Sequence, residues 1–474
     1  MRKYAPLFFA LSLVWALPAL AQREPRAPLV QQLRALVADS GLGDDVGVSV
    51  IDISTGRSVF QHHAERPMNP ASNQKLVTIF AALHQLGAQF QMRTAAQGQL
   101  ESGRVTGGLA LRGFGDPGLT YGDLVTLARD VRLSGVERVD RIIVDATYFD
   151  DQILPTAFEQ QPNEVAPFRA PIGAVSVDRN AYVLRVLPGE VGGAARVELL
   201  GAPYFSVTNR MTTTAEGAPN VIADQRGDGE HMTLRLSGTV PATVRGVSYR
   251  RRINNPLYWS GHVFVDALRS QGIEVGGGVT LGATPSGAPA LATHRSQPVG
   301  TLIHALGKHS DNFVAEMLFR VMGAEHHRPG RSEDSVAAVR AALDDAEIDH
   351  SNITIVNGSG LFTGNRIAPQ RLAELLTHAY RDTAIRPDFL ASLSIAGVDG
   401  TLRRRIRDLP APRCVRAKTG TLAAVIGLSG YVLGPTPGEA YAFSFLANDV
   451  RGRIGPSRAL ADSIARAIAS HLYR

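Results

Sequence analysis

The segment PASNQKLVT, residues 70–78, begins a regular helical pattern. Apolar residues after Ser72 recur at the three- and four-residue spacing of one helix face, at Leu76, Val77, Ile79, Phe80, Leu83 and Leu86. Gly87 ends the pattern, so we predict a helix that begins at Ser72. Residues three apart occupy adjoining positions of one helix face, and Lys75 is therefore expected beside Ser72.

The pair Ser72 and Lys75 has the form S-x-x-K, which suits nucleophilic catalysis. A serine hydroxyl is a weak nucleophile until a nearby base takes its proton, and a lysine can be that base if burial lowers its pKa. The free N–H groups at a helix N-terminus also stabilise negative charge that develops beside the serine. The motif alone is weak, because a capping serine followed by a surface lysine has the same spacing.

Two further fragments strengthen the interpretation. Helical patterns are predicted near 301–322. Ser310-Asp311-Asn312 lies at the start of a helical stretch, and Lys418-Thr419-Gly420-Thr421 lies in an apparent strand. Each fragment alone could be an N-cap or an edge-strand lysine. In the order S-x-x-K, S-D-N, K-T-G they match the signature of β-lactamases and penicillin-binding proteins.

With these motifs the chain resembles the D-alanyl-D-alanine carboxypeptidase/endopeptidases among the low-molecular-mass penicillin-binding proteins. That family carries a large insertion between its first two motifs, which here stand at residues 72 and 310. Supporting strings extend over most of the chain: GFGDPGLT at 113–120, APIGAVSVDRN at 170–180, NGSGL at 357–361 and AGVDGTLRRR at 396–405.

The resemblance implies a role for each matching residue. Ser72 would form the acyl-enzyme, Lys75 would accept its proton, and Ser310 would relay a proton to the leaving nitrogen. Asn312 would bind the substrate amide, and Lys418 would supply positive potential. The K-T-G strand would hold the substrate carboxylate through Thr419, Gly420 and Thr421, and the backbone N–H groups of Ser72 and Thr421 would form the oxyanion hole.

The resemblance also points to substrate recognition by the insertion. In the family, an inserted acidic residue and an aromatic residue receive the cationic end of diaminopimelate. Glu164 and Phe168 stand near the matching place, although their spacing departs from the family's by one residue. A solvated glutamate beside a packed phenylalanine is the alternative interpretation.

The expected fold is α/β, with a serine β-lactamase/DD-transpeptidase-like domain and two smaller inserted domains. The N-terminal hairpin at 46–62 and the strands, hairpin and helix at the C-terminal end are expected to share one antiparallel sheet flanked by helices. We predict that residues 22–95 and 290–474 form this catalytic domain. Residues 96–180 and 246–289 would form one inserted domain, which begins with a βαβ pattern, and 181–245 a nested β-rich domain.

The first 21 residues have the order of a secretory signal peptide: a basic start, an apolar run at 7–17 and the small-residue site at 19–21. That run is shorter than the roughly 20 residues of a membrane span. Cys414 is the only cysteine, so no lipid anchor on a new N-terminal cysteine and no internal disulfide are expected. We predict a periplasmic protein with at most loose peripheral membrane association.

Neither the composition nor the remaining motifs indicate nucleic acid, a nucleotide cofactor or a metal as a partner. A formal net charge of +6 without a dense basic stripe does not indicate nucleic-acid binding. Residues 113–118 satisfy G-x-G-x-x-G, but Asp116 and Pro117 would disturb a pyrophosphate, so no cofactor is expected. The histidine pairs at 62–63 and 326–327 lack a ligand spacing, so no metal is expected. The expected partners are peptidoglycan stem peptides, with β-lactam antibiotics as covalent inhibitors.

Two other functions remain open on this fold. A β-lactamase would share the acylation step, but no glutamate in an E-x-x-L-N setting follows Ser72 to activate a deacylating water. A non-catalytic wall-binding protein would have no need of Ser72, Lys75, Ser310, Asn312 and Lys418. Stable penicillin labelling, penicillin turnover and absence of labelling distinguish the three functions.

Overall fold

The computed structural model describes residues 27–200, 204–227 and 229–474. The predicted signal peptide, residues 1–21, lies outside these ranges. The helices are α1 (Ala27–Asp39), α2 (Gln74–Gln85), α3 (Tyr121–Leu133), α4 (Pro256–Ser270), α5 (Val299–His309), α6 (Asn312–His326), α7 (Ser332–Asp345), α8 (Pro369–Arg381), α9 (Arg386–Ser392) and α10 (Ile454–Leu472).

The strands, in chain order, are β1 (Val46–Asp52), β2 (Ser58–His62), β3 (Arg93–Gln97), β4 (Leu100–Glu101), β5 (Arg104–Val105), β6 (Leu109–Gly113), β7 (Arg138–Val139), β8 (Ile142–Asp145), β9 (Ala181–Leu187), β10 (Arg196–Leu200), β11 (Phe205–Thr214), β12 (Asn220–Gly227), β13 (Met232–Pro241), β14 (Val247–Arg252), β15 (Glu274–Val275), β16 (Val279–Leu281), β17 (Ala290–Arg295), β18 (Ser394–Ile395), β19 (Val415–Leu422), β20 (Val425–Leu433) and β21 (Ala440–Ala447).

A six-stranded antiparallel sheet carries the two ends of the described chain. Its order is β18-β19-β20-β21-β1-β2. Strand β1 pairs with β21 so that Val46 lies opposite Ala447, and β1 also forms the N-terminal hairpin with β2. The prediction that the two ends share one sheet is confirmed.

Helices cover both faces of this sheet, which explains its continuous apolar runs. Strand β21 alternates between two cores: Phe443 and Phe445 pack with α1 and α10, whereas Ala442 and Leu446 pack with the helical layer that contains α2, α6 and α8. The apolar stripe of α10 is buried in the first core, as Leu460, Ile464, Ile468 and Leu472. Each such side chain contributes about 1.5–3 kcal/mol on burial, so α10 is a core helix.

The middle of the chain builds separate sheets around its own core. A five-stranded sheet has the order β16-β8-β6-β3-β17, and a four-stranded sheet has the order β15-β7-β5-β4. Strands β6 and β8 are parallel and α3 connects them, so the predicted βαβ unit is confirmed. Two three-stranded sheets follow, β10-β9-β14 and β11-β13-β12. Their apolar side chains join those of α3 and α4 in one buried cluster.

The domain limits proposed above fall close to paired strands. Strand β17 pairs with β3, so the limits at 95/96 and 289/290 lie within one ladder. Strand β14 pairs with β9 just beyond the limit at 245/246. The division into domains stays a prediction. Across the described residues, no helix combines the length and the apolar content of a membrane span.

Candidate active site

Ser72 lies where an irregular segment turns into α2. Ala71, Ser72 and Asn73 form one 3-10 turn that continues directly into the helix. The backbone N–H of Ala71 donates to Asn69 Oδ1 at 2.9 Å, and that of Asn69 donates to Asn448 Oδ1 at 2.7 Å. Ala71 has a φ of +46°, which a non-glycine residue adopts only where its surroundings hold it. The nucleophile candidate is therefore anchored to the loop after β21.

Lys75 is completely buried and connects the first two motifs. Its Nζ lies 3.2 Å from Ser72 Oγ, and it donates to Asn312 Oδ1 at 2.7 Å and to Ser359 O at 2.6 Å. A neutral amine has two hydrogens and one lone pair. Asn312 and Ser359 take the two hydrogens, so the lone pair is left to face the Ser72 hydroxyl. This is the geometry that a general base requires.

Burial lowers the pKa of Lys75 to about 7, although the charge of Glu316 and that of Asp311 oppose the shift. A free lysine titrates near 10.4, so it would be almost fully protonated at neutral pH. Burial therefore makes the Lys75 amine able to act as a base near neutral pH.

Glu316 is a buried carboxylate that the sequence analysis missed. It stands one helix turn after Asn312 on α6 and accepts hydrogen bonds from the backbone of Gly358 at 3.1 Å and of Ser359 at 2.8 Å. Because Ser359 O in turn accepts from Lys75, Glu316 positions the acceptor that orients the amine. Burial raises the pKa of Glu316. The available sequence signal was the four-residue spacing from Asn312 on an otherwise apolar helix face.

Ser310 lies between α5 and α6, and its backbone conformation separates the two helices. Its φ of +58° lies in the left-handed region, so the helical stretch predicted near 301–322 is two helices. Asp311 caps α6 by accepting from Val314 N at 3.1 Å, and its other oxygen pairs with Arg179 at 2.6 Å. Ser310 Oγ accepts from Lys418 Nζ at 2.8 Å. The second and third motifs thus meet at Ser310.

Lys418 is fully buried in β19, and burial followed by the nearby charge of Lys75 holds its pKa well below the ordinary value. Gly420 allows β19 to approach Ser72, because a Cβ at that position would lie 3.0 Å from Pro70 O and 3.3 Å from Ser72 N. Thr419 Oγ1 donates to Thr401 Oγ1 at 2.8 Å, while Thr421 is exposed. Thr401 is a further contact that the sequence analysis missed.

Glu164 stands apart from this constellation. Its Oε1 accepts from the backbone N–H of Ala166 at 2.8 Å, so the side chain closes a local turn. Phe168 in the same segment reaches the site through its backbone, since its carbonyl accepts from Asn312 Nδ2 at 3.1 Å. The Phe168 ring is 44% exposed, and it is available to a ligand. The segment that contains Glu164 therefore borders the site, and the recognition role of Glu164 stays a prediction.

We expect the rate of acylation by a β-lactam to rise with pH through about 7 and then to level off. This expectation takes the deprotonated Lys75 amine as the general base, and burial lowers the pKa of that amine to about 7. Below pH 6, the rate should fall about tenfold per pH unit because the neutral fraction falls tenfold. Stopped-flow measurement of the second-order acylation rate between pH 5 and pH 9 checks this, and a flat or falling profile would contradict it.

Comparison with known proteins gives a family match over most of the chain. Residues 29–467 match the family model described as the D-Ala-D-Ala carboxypeptidase 3 (S13) family. The D-alanyl-D-alanine carboxypeptidase of Actinomadura sp. (strain R39) is 34% identical over 483 residues, which cover 97% of this chain and 88% of that protein.

Solved structures agree as well. The crystal structure of penicillin binding protein 4 (dacB) from Haemophilus influenzae superposes with a TM-score of 0.79 at 26% identity and covers 93% of this chain and 99% of that one. The same protein complexed with a β-lactam gives a TM-score of 0.75, with the same identity and coverage. The expected penicillin-binding fold is confirmed, and the chain belongs to the D-Ala-D-Ala carboxypeptidase 3 (S13) family.

Proposed function

We propose that this chain is a penicillin-sensitive serine D-Ala-D-Ala carboxypeptidase that also cuts D-Ala-to-diaminopimelate cross-links. Its substrates would be the stem peptides of peptidoglycan. The observation that carries the proposal is the contact of 3.2 Å between Lys75 Nζ and Ser72 Oγ, with both lysine hydrogens directed at fixed acceptors. Family membership and the 34% identical carboxypeptidase of Actinomadura support the substrate class.

The residues would act in sequence during acylation. Ser72 Oγ attacks the carbonyl carbon of the penultimate D-Ala while its proton moves to Lys75 Nζ. The carbonyl oxygen becomes an oxyanion, which the backbone N–H groups of Ser72 and Thr421 stabilise. The C–N bond then breaks, and the leaving nitrogen takes a proton relayed through Ser310. Water later attacks the ester carbonyl and releases the shortened peptide and free Ser72.

Substrate binding would use the K-T-G strand and the second motif. Lys418 would supply positive potential near Ser310 once the substrate carboxylate is bound, because that charge opposes the effect of burial on the pKa of Lys418. The hydroxyl groups of Thr419 and Thr421 suit the terminal carboxylate. Gly420 would leave room for that strand to lie against both the substrate and the start of α2. Asn312 would hold the substrate amide with the same side chain that orients Lys75. β-Lactams would acylate Ser72 in the same way, and the resulting acyl-enzyme would persist.

Incubation of the purified chain with a stem pentapeptide and with cross-linked muropeptides tests this function. We expect release of free D-Ala from the first and cleavage of the second, both blocked by prior reaction with a β-lactam. Fluorescent penicillin should label the protein stably. Rapid turnover of penicillin without peptide cleavage would instead indicate a β-lactamase, and absence of both reactions would overturn the proposal.

The recognition role of Glu164 gives a second measurable result. Glu164→Gln keeps the side-chain oxygen that accepts from Ala166, but it removes the negative charge. We predict a lower kcat/KM for peptides with a free diaminopimelate ammonium and nearly unchanged acylation by penicillin, which lacks that ammonium. The control is Glu159→Gln, which removes the same charge from an exposed residue of the same segment. Equal losses on both substrates, or none on either, would contradict the role.

The site of action would be the periplasm. The basic, apolar and small-residue order of residues 1–21 supports export, and the proposed substrate lies outside the cytoplasmic membrane. N-terminal sequencing of the protein recovered from a periplasmic fraction tests this. A mature chain that begins at Gln22 is expected, and an intact Met1 in that fraction would contradict cleavage.

A further inference from the structure

A basic cleft lies between the five-stranded sheet and the end of α6. Its volume is about 790 Å³, within the range of roughly 300–1,000 Å³ typical of small-molecule sites. Arg93, Arg112, Arg295 and Arg328 line it, together with one acidic residue, Glu325. None of the catalytic-motif residues lines this cleft. The cleft therefore concentrates positive charge outside the proposed active site.

The strand register places two of these arginines at directly opposite positions of one ladder. Arg93 of β3 lies opposite Arg295 of β17 in the antiparallel ladder. Like charges directly opposite on neighbouring strands are destabilising. Across residues 27–200, 204–227 and 229–474, no carboxylate lies within ion-pair distance of either side chain, whereas Arg328 pairs with Glu325 at 2.8 Å. An anion in the cleft would remove the repulsion between Arg93 and Arg295.

Aromatic rings hold the guanidinium groups in place. The Arg93 guanidinium lies 4.2 Å from the centroid of the Phe114 ring, and that of Arg112 lies 5.2 Å from the same centroid. Tyr148 supports Arg328 in the same way at 5.3 Å. Stacking on a ring leaves the N–H groups at the edge of a guanidinium free to donate. Arg112 also lies 3.4 Å from Asp145 Oδ2 and Arg328 pairs with Glu325, so among the described residues the ring-stacked guanidinium without a carboxylate partner is that of Arg93.

We infer that this cleft binds a phosphomonoester carried on a body the size of a sugar or a lipid headgroup. One guanidinium is enough to occupy both oxygens of a carboxylate, whereas a phosphomonoester has three terminal oxygens and up to two charges. Four guanidinium groups line the cleft and two of them stack on the Phe114 ring, an arrangement that matches the phosphate better. The volume and the aromatic lining provide room for the attached body. This inference is independent of the proposed peptidase function.

Calorimetric titration of the full chain at fixed ionic strength tests the site. The probes are inorganic phosphate, glucose 6-phosphate, succinate, and phosphatidylcholine vesicles with and without phosphatidic acid. The test variant is the double change Arg93→Gln and Arg295→Gln. The control is the double change Arg129→Gln and Arg138→Gln, which removes the same charge from exposed positions outside the cleft. A cooperative unfolding transition close to the wild-type temperature verifies that each variant is folded.

We expect the test variant to weaken binding of the phosphate probes by about 10- to 100-fold, and the control to bind like wild type. Preference for glucose 6-phosphate would identify a soluble phosphorylated sugar as the source, and preference for phosphatidic acid vesicles a lipid headgroup. Three results would overturn the inference: no binding of any phosphate probe, equal weakening in the control, or succinate binding as tight as that of the phosphates.

Discussion

Replacing Ser72 by alanine is expected to lower both D-Ala release and covalent penicillin labelling by about 10⁴-fold or more, because the hydroxyl oxygen is the proposed attacking atom. The substitution removes one oxygen from a half-exposed position and leaves α2 and its buried face intact. The protein should therefore unfold at nearly the wild-type temperature. Product release by chromatography and labelling by gel fluorescence measure the two losses.

The same variant distinguishes loss of the nucleophile from loss of substrate binding. Reversible binding of a stem peptide should survive, because Asn312, Lys418 and the K-T-G strand are unchanged. Loss of binding together with a lowered unfolding temperature would mean that the change damaged the fold. If the variant stayed folded and formed an adduct at another serine, the nucleophile assignment would be wrong.

Replacing Lys75 by methionine is expected to slow acylation by about 10³-fold or more. Methionine keeps much of the volume of the buried chain, but it has no lone pair that can accept the serine proton. The change also leaves Asn312 Oδ1 and Ser359 O without their common donor, and it leaves Glu316 without a nearby cation. Lys75→Ala should lose as much activity and more stability, since it opens a cavity as well.

Rapid-mixing measurement of acylation by a fluorescent penicillin resolves this loss. The pH profile provides the control: the residual rate of Lys75→Met should no longer show the step near pH 7 that Lys75 imposes. A variant that retained that step would show that another group titrates there. Acylation at a near wild-type rate would exclude Lys75 as the base.

Much of the fold follows from local patterns in the sequence. The βαβ pattern predicted at the start of the insertion is present as β6, α3 and β8. Alternation predicted the N-terminal hairpin, and the two ends of the described chain share the predicted sheet. These features depend on neighbouring residues, so one sequence is enough to identify them.

The contacts that tune the site depend on segments far apart in the chain. Glu316 acts through Ser359, and the Phe168 carbonyl reaches Asn312 from the insertion. The spacing of residues along the sequence does not indicate contacts between segments so far apart. The helix break at Ser310 was missed for a related reason: a serine in the left-handed region has no composition signal, and the contact with Lys418 becomes visible only in the folded chain.

The central claim, that Ser72 becomes acylated with Lys75 as its base, is tested most directly by mass spectrometry of the wild-type protein after reaction with benzylpenicillin. Intact mass gives the number of adducts, and peptide mapping locates them. We predict one penicilloyl group per chain, on Ser72. No adduct, or an adduct on any other side chain, would contradict the account.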